Sequence, residues 1–244
     1  MRKSLIAAGV AALAMGGAAT AYAQVAPPSF TVTPSVSPSK SGTKKKPKAT
    51  TLTLKVVNNV QDSKATANEI KITLPSTLKL STKGLPQCTK SDDAILNSAG
   101  AVCKASKAGG GTSDVILNPY TNPAKITFQV TSLVGKNEML FYLVSPIAKA
   151  VLHGKISGHT LTIRIPDGTK PGEPNLTQPA PGTYSAIANL TTKLSLKKGK
   201  KSLLTSVGCV SKKHKITVQE HFIPNPTPPS TATATATGFA ACKK

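Results

Sequence analysis

Glu69-Ile-Lys-Ile-Thr-Leu-Pro75 is the stretch from which the fold of this chain is best inferred. Every second residue from Ile70 to Leu74 is apolar, and a period of two places these side chains on one face of a β-strand. Pro75 lacks the N–H group that a strand ladder needs, so the strand ends there. Residues 84–88, Gly-Leu-Pro-Gln-Cys, then turn the chain into a polar segment. The pattern predicts a half-buried strand followed by a turn.

Four cysteines, Cys88, Cys103, Cys209 and Cys242, lie beyond the N-terminal segment. An even number favours two disulfides in an exported chain, and four cysteines allow three pairings. We favour the pairing of sequence neighbours, Cys88–Cys103 and Cys209–Cys242. The polar loop between the first two has little to bury, so a crosslink would stabilise it by about 3 kcal/mol through restriction of the unfolded chain. Free thiols or a metal site are the alternatives, although the sequence contains no Cys-x-x-Cys motif.

The N-terminal segment has the three parts of a secretory signal peptide. Arg2 and Lys3 precede a short apolar run, and Ala21-Tyr-Ala23 has the small-x-small form that signal peptidase cleaves. The apolar run is shorter than the roughly 20 residues that span a bilayer. The sequence therefore predicts a signal peptide over residues 1–23, cleavage between Ala23 and Gln24, and a secreted or extracellular protein.

Composition predicts an all-β fold. The chain has 244 residues, no Trp and 4% aromatic residues, so its core must be aliphatic. Alternating segments of Val, Ile, Leu and Thr are separated by Pro and Gly, as is typical of antiparallel sheets. Residues 24–50, rich in Pro, Ser and Lys, have little apolar content and predict a disordered linker. Residues 51–244 then form an antiparallel β-sandwich-like domain, or two β subdomains divided near residues 135–145.

Two later segments refine this prediction. Between Tyr184 and Leu196 the apolar alternation slips by one residue, which predicts a β-bulge. Residues 231–237 alternate Thr and Ala strictly. We interpret this repeat as the second strand of a C-terminal hairpin rather than as a disordered tail, because Cys242 would tie its end to Cys209.

A run of three glycines, Gly109–Gly111, follows Cys103. It lacks the Gly-Lys-Ser/Thr ending and the helix pattern of a phosphate-binding loop. We therefore interpret it as a flexible turn.

Several of these motifs recur together in a known group. They are the I-x-L-P strand at Ile72–Pro75, the G-L-P-x-C segment at Gly84–Cys88, Cys103 with a Gly-rich turn at Gly109–Gly111, and the final Cys-hairpin-Cys at Cys209–Cys242. In this the chain resembles secreted proteins of unknown function from soil actinobacteria, with a two-disulfide, β-rich mature region. The resemblance implies a disulfide-bearing, sandwich-like exported protein and supplies no activity.

Acids and histidines form no motif typical of a catalytic or metal site. His214 and His221 are seven residues apart on one predicted strand, so their side chains face opposite ways, and we interpret both as surface residues. No catalytic residue, cofactor or metal ligand is predicted. The alternative is a secreted hydrolase with a site near the Pro-rich loop 167–181, where Asp167 is the nearest acid.

Positive charge is the remaining functional signal. The net charge is +22, and loss of Arg2 and Lys3 with the signal peptide would leave +20. Lysine is a compact, solvated point charge suited to diffuse attraction to polyanions. The candidate contacts form three runs: Lys44, Lys45, Lys46 and Lys48; Lys197, Lys198, Lys200 and Lys201; Lys212, Lys213 and Lys215.

These observations predict a non-catalytic binding or structural module of the cell envelope or extracellular space. Its expected partner is an anionic cell-wall polymer or another polyanion, bound by weak electrostatic attraction. The sequence contains no specific nucleic-acid motif, and the part after the signal peptide contains no transmembrane segment. The alternative role of the lysines is to keep edge strands and an exported protein soluble.

Overall fold

A computed structural model describes residues 28–59, 65–119, 122–170, 173–223 and 232–244. The predicted signal peptide and its cleavage site, Ala23–Gln24, lie outside these residues. The strands and helices are β1 (Phe30–Ser37), β2 (Lys48–Ala49), β3 (Thr51–Asn58), β4 (Thr66–Thr73), β5 (Leu78–Leu80), α1 (Asp92–Asn97), a 3-10 helix (Ala101–Ser106), β6 (Lys107–Leu117), β7 (Ala124–Val134), β8 (Glu138–Val144), β9 (Lys149–Ser157), β10 (Thr160–Arg164), β11 (Ser185–Leu194), β12 (Lys197–Lys198), β13 (Lys201–Ser202), β14 (Leu204–Ser206), β15 (Lys213–Ile223) and β16 (Ala232–Ala241).

Eleven of these strands form one sheet in the order β1-β3-β11-β6-β7-β8-β9-β10-β4-β15-β16, and its neighbouring strands are antiparallel. The prediction of an all-β, antiparallel fold is confirmed. The sheet curls until its two edge strands meet: the N–H of Lys243 donates to the carbonyl of Ser39, and the N–H of Ser41 donates to the carbonyl of Lys243, both at 2.8 Å. The backbone at Gly238 in β16 also lies against Val32 in β1. We call this element the rolled sheet.

Alternation of apolar and polar residues explains the strands. In β4, Ile70 and Ile72 are buried, as is Leu74 just after it, and the strand ends before Pro75 as predicted. The continuous apolar run in β8 is buried on both faces because one face lines the interior of the rolled sheet and the other lies under helix α1. Within the described residues, no helix is both long enough and apolar enough to cross a membrane.

The predicted bulge in β11 is present. Its pairing with β6 slips between Ile187 and Asn189. The extra residue restores the inward direction of the apolar side chains that follow, because a shift of one residue moves each side chain to the other face.

The linker prediction for residues 24–50 is wrong where the structure describes them as strands. β1 is a full edge strand paired with β3, and β2 pairs with β14. Residues alternate along β1, with Pro34 and Val36 buried and Thr33 and Ser35 exposed. Proline is tolerated because an edge strand can leave one N–H position unpaired. A segment too polar to fold alone is thus ordered by the strand beside it.

The interpretation of Gly109–Gly111 as a flexible turn is also wrong. The three glycines lie inside β6, between β11 and β7. Gly109 has a φ of +138°, and a side chain on Gly111 would collide with the carbonyl oxygen of Thr191. Glycine is needed here because the neighbouring backbone approaches too closely for a Cβ atom.

Both favoured disulfides are present, Cys88–Cys103 and Cys209–Cys242, with Cα–Cα distances of 5.2 and 5.8 Å. The first closes a loop that buries more than its composition suggested. Ser91 caps α1 by accepting a hydrogen bond from the N–H of Ala94, and Ile95 is fully buried against β7, β8 and β9. Two disulfides are consistent with an oxidising, extracellular setting.

The subdivision near residues 135–145 does not divide the sheet. These residues contain the β7–β8 turn and all of β8, and β7 and β8 are neighbours in the rolled sheet. At the C-terminus, the Thr-Ala repeat forms β16, which pairs with β15 from Lys213 to Phe222. The ordered-strand interpretation is therefore confirmed for residues 232–237. Residues 224–231, which join β15 to β16, lie outside the described residues.

Candidate functional site

The three lysine runs converge at one end of the rolled sheet. More than 150 residues of sequence separate the first run from the last. Their positions follow from strand direction. Residues 44–48 precede β3, residues 197–201 follow β11, and residues 212–215 begin β15. The start of β3 pairs with the end of β11, Leu52 opposite Leu194. We call this the lysine end.

Backbone pairing fixes the first two runs to each other. Lys48 in β2 pairs with Ser206 in β14, only a few residues beyond the β12–β13 hairpin that carries the second run. The N–H of Leu203 donates to the carbonyl of Leu196 at 2.8 Å and closes the base of that hairpin. The stem of Lys201 lies over Gly84. The hairpin is therefore anchored at its base and through the stem of Lys201, on the segment that leads into β14.

The third run is fixed by the C-terminal disulfide. Cys242 bonds to Cys209, and its N–H donates to the carbonyl of Lys212 at 2.9 Å. The bonds between Lys243 and residues 39–41 then join this run to the segment that leads into the first. The sequence interpretation missed three further lysines at this end, Lys40, Lys243 and Lys244, because only the meeting of β1 and β16 brings them there.

Ten of the eleven candidate lysines are exposed, and Lys48 is half-buried. In the described part of the chain none of them forms a salt bridge. The Nζ atom of Lys213 lies 4.3 Å from the centre of the Phe239 ring, a cation–π contact at the surface. The lysine end therefore presents exposed positive charge that no ion pair neutralises among the described residues.

The acid of the alternative hydrolase prediction has a structural role. Asp167 Oδ1 lies 2.7 Å from the guanidinium of Arg164 and also accepts a hydrogen bond from Thr169 Oγ1. Glu173 Oε1 holds the other arm of Arg164 at 2.6 Å. Burial raises the pKa of Asp167, but the hydrogen bonds from Thr169 and Asn68 and the charge of Arg164 outweigh it, so this pKa lies below its ordinary value. A carboxylate that is ionised and already occupied by hydrogen bonds and an ion pair is a poor general acid.

One histidine sits between two carboxylates on the surface. His153 Nε2 is 3.1 Å from Asp92 in α1, and Nδ1 is 3.0 Å from Glu138 in β8. Partial burial lowers the pKa of His153, and the bonds to Glu138 and Asp92 more than offset it, so the pKa is raised. The two carboxylates use different ring nitrogens, an arrangement that fastens α1 to the sheet. Among the described residues, no group of three or more His, Cys, Asp or Glu side chains is placed to hold a metal ion.

Two polar side chains of β15, His214 and Glu220, are buried. The burial of His214 corrects the sequence interpretation. His214 was interpreted as a surface residue, but it is 1% exposed and lies 2.8 Å from Thr77 Oγ1. Glu220, also 1% exposed, accepts a hydrogen bond from Asn58 Nδ2 at 3.1 Å. Both side chains share the inward face of β15 with Ile216 and Val218, so strand alternation was the signal that could have located them. His221, on the opposite face, is half-buried as alternation requires.

No family model matches the chain, and neither do curated proteins or solved structures. The resemblance to secreted actinobacterial proteins therefore stays a prediction.

Proposed function

We propose that this protein is a non-catalytic module of the extracellular space or cell envelope that binds an anionic cell-wall polymer through its lysine end. In this proposal the chain is exported and residues 1–23 are removed. The supporting observation is that three lysine runs, distant in sequence, are brought to the same end of a disulfide-braced sheet. Lysines that only kept the protein soluble would have no reason to gather in one place.

The chemistry of the site suits a repeating phosphodiester or carboxylate polymer. Lysine ammonium groups are solvated point charges without the fixed fork of arginine, so they attract negative charge without selecting one geometry. Exposed charges are screened over about 10 Å at 0.1 M salt. Binding should therefore be weak for each contact, strong in sum over a long polymer and steeply dependent on salt.

Retention on immobilised wall teichoic acid, measured against NaCl concentration, tests this proposal. The chain from Gln24 onward should elute in a salt-dependent manner. A variant with Lys197, Lys198 and Lys200 replaced by Gln should elute at clearly lower salt. The matched control replaces three lysines away from the lysine end (Lys55, Lys149 and Lys170) and removes the same charge; it should elute close to the wild type.

Three outcomes would count against the proposal. Retention unaffected by salt would exclude electrostatic binding. Equal losses in the two triple variants would show that net charge acts without a site. Tighter binding to a nucleic acid than to teichoic acid of equal charge would show that the partner is a nucleic acid and not a cell-wall polymer.

The non-catalytic part of the proposal has its own test. Asp167→Asn keeps the size of the side chain and part of its hydrogen bonding, so the loop should remain folded. A hydrolytic activity of the wild type that disappears in this variant would favour the hydrolase alternative. We expect no activity in either protein.

A further inference from the structure

The interior of the rolled sheet contains an apolar chamber of about 280 Å³. Strands β6, β7 and β11 form one wall, with Val115, Phe128 and Ile187 facing inward. The opposite wall comes from β4, β9 and β10, with Ile70, Leu152 and Ile163. Protein cores are normally packed to the density of organic crystals, so an unfilled space of this size is a departure that needs a cause.

The chamber is open rather than sealed. Val115, Phe128, Ile187 and Leu190 face inward but are only half-buried, unlike core residues such as Leu54. Each keeps part of its apolar surface in contact with water, which costs roughly 25 cal/mol per Å². A ligand that covers these side chains would recover that free energy.

The mouth of the chamber lies at the end of the sheet opposite the lysine end. The lining residues near the lysine end, Leu194 and Leu204, are only 4% and 1% exposed, whereas Ser185 at the other end of β11 is half-buried. Ile147, in the β8–β9 turn, is 71% exposed and forms part of the rim with Pro179.

The lining of the chamber extends along the strands. It follows β11 from Ser185 to Leu194, a strand of 10 residues, which spans roughly 30 Å at about 3.3 Å per residue. A volume of 280 Å³ is small for a ligand site lined over that length, which favours one chain over two. It also falls at the lower limit of the roughly 300–1,000 Å³ usual for small-molecule sites.

The polar atoms along the lining are already satisfied by the protein. The hydroxyl of Ser113 donates to the carbonyl of Asn189 at 3.2 Å, and that of Ser185 donates to the carbonyl of Leu176 at 2.8 Å. The hydroxyl of Thr192 pairs with that of Ser132 at 3.5 Å. These groups do not call for a polar ligand inside the chamber. Among the lining residues the structure describes, Lys149 at the rim is the charged one.

We infer that the chamber binds the acyl chain of a single-chain anionic amphiphile, such as a fatty acid, with the chain inside the sheet and the carboxylate at the rim near Lys149. This inference is independent of polymer binding, because the two sites use opposite ends of the rolled sheet. The apolar walls hold the chain, the dimensions select one chain over two, and the exposed rim leaves the head group in water.

Displacement of a fluorescent polyene fatty acid by palmitate tests the inference on the chain from Gln24 onward. The variant with Lys197, Lys198 and Lys200 replaced by Gln, measured beside the wild type at the same ionic strength, controls for adsorption of the anion to the lysine end. Palmitate should bind once per chain. Val115→Trp, which fills the chamber, should weaken binding by at least about tenfold. Ile116→Trp places the same side chain on the outer face of β6 and should bind like the wild type.

A second variant tests the site in case Val115→Trp does not fold. Ile147→Glu changes an exposed rim residue, so the fold should survive, and the added negative charge should weaken binding of palmitate more than of hexadecanol. Circular dichroism checks each variant. Absence of palmitate binding, or equal binding by the Val115 and Ile116 variants, would overturn the chamber as the site. Equal affinity of the wild type for palmitate and hexadecanol would overturn the anionic head group.

Discussion

Glu220→Gln is expected to stabilise the fold at alkaline pH and to leave its stability almost unchanged at acidic pH. Glu220 lies on the inward face of β15, 1% exposed, with Asn58 as the donor to its Oε2 atom. Burial raises the pKa of this carboxyl from 4.5 to about 7, and the hydrogen bond from Asn58 opposes only part of that effect. The carboxyl is therefore neutral in the folded protein over a range where the unfolded chain has released the proton.

The sign and size follow from these two pKa values. Because the folded pKa is the higher one, stability is fully present below about pH 4.5, falls as pH rises and levels off above about pH 7. The difference between the values corresponds to a loss of about 3 kcal/mol in the free energy of unfolding. Glutamine cannot ionise and so does not suffer this loss.

Urea unfolding of both proteins across this pH range measures the effect. The difference in unfolding free energy should be near zero around pH 4.5 and should reach about 3 kcal/mol in favour of the variant above pH 7. Subtracting the two curves removes the contributions of His153 and His214, which are common to both proteins. A difference that does not change with pH, or a variant less stable than wild type above pH 7, would refute this explanation.

Three further predictions concern other parts of the fold. Replacing His153, whose side chain is 51% exposed, with Asn should lower the free energy of unfolding by less than about 1 kcal/mol. Since the pKa of His153 is raised in the folded protein, this loss should be largest below pH 6.5 and should fade as pH rises through the folded pKa. Urea unfolding at several pH values measures it. Gly111→Ala should lower Tm strongly because its methyl group meets the carbonyl of Thr191, whereas Gly208→Ala, with only an ordinary 3.5 Å contact, should not; similar Tm values would contradict the close approach. Replacing both Cys209 and Cys242 with Ser should lower the free energy of unfolding by about 4 kcal/mol, given their separation of 33 residues, and an unchanged denaturation midpoint would contradict the bracing role.

The sequence predicted most of what depends on local pattern. The alternation in β4, the slip in β11 and the Thr-Ala repeat of β16 each specify a strand through residues that are close in sequence. Pairing of neighbouring cysteines was predictable for a related reason, since short loops bring them together at the lowest entropic cost.

Features that depend on distant partners were missed. β1 has the composition of a linker and is a strand because β3 lies beside it. Gly109–Gly111 look like a turn until the carbonyl groups of β11 and β7 are placed next to them. Predicting that the lysine runs lie together requires the strand order and register. Predicting the open chamber requires knowing that inward side chains from opposite strands do not meet.

Mapping backbone amide chemical shifts during titration with wall teichoic acid is the most direct test of the proposed function. The proposal predicts changes confined to residues 40–48, 197–201, 212–215 and 243–244, with the rim around residues 145–149 unaffected. Changes spread evenly over all exposed lysines, or changes centred on the rim, would contradict it.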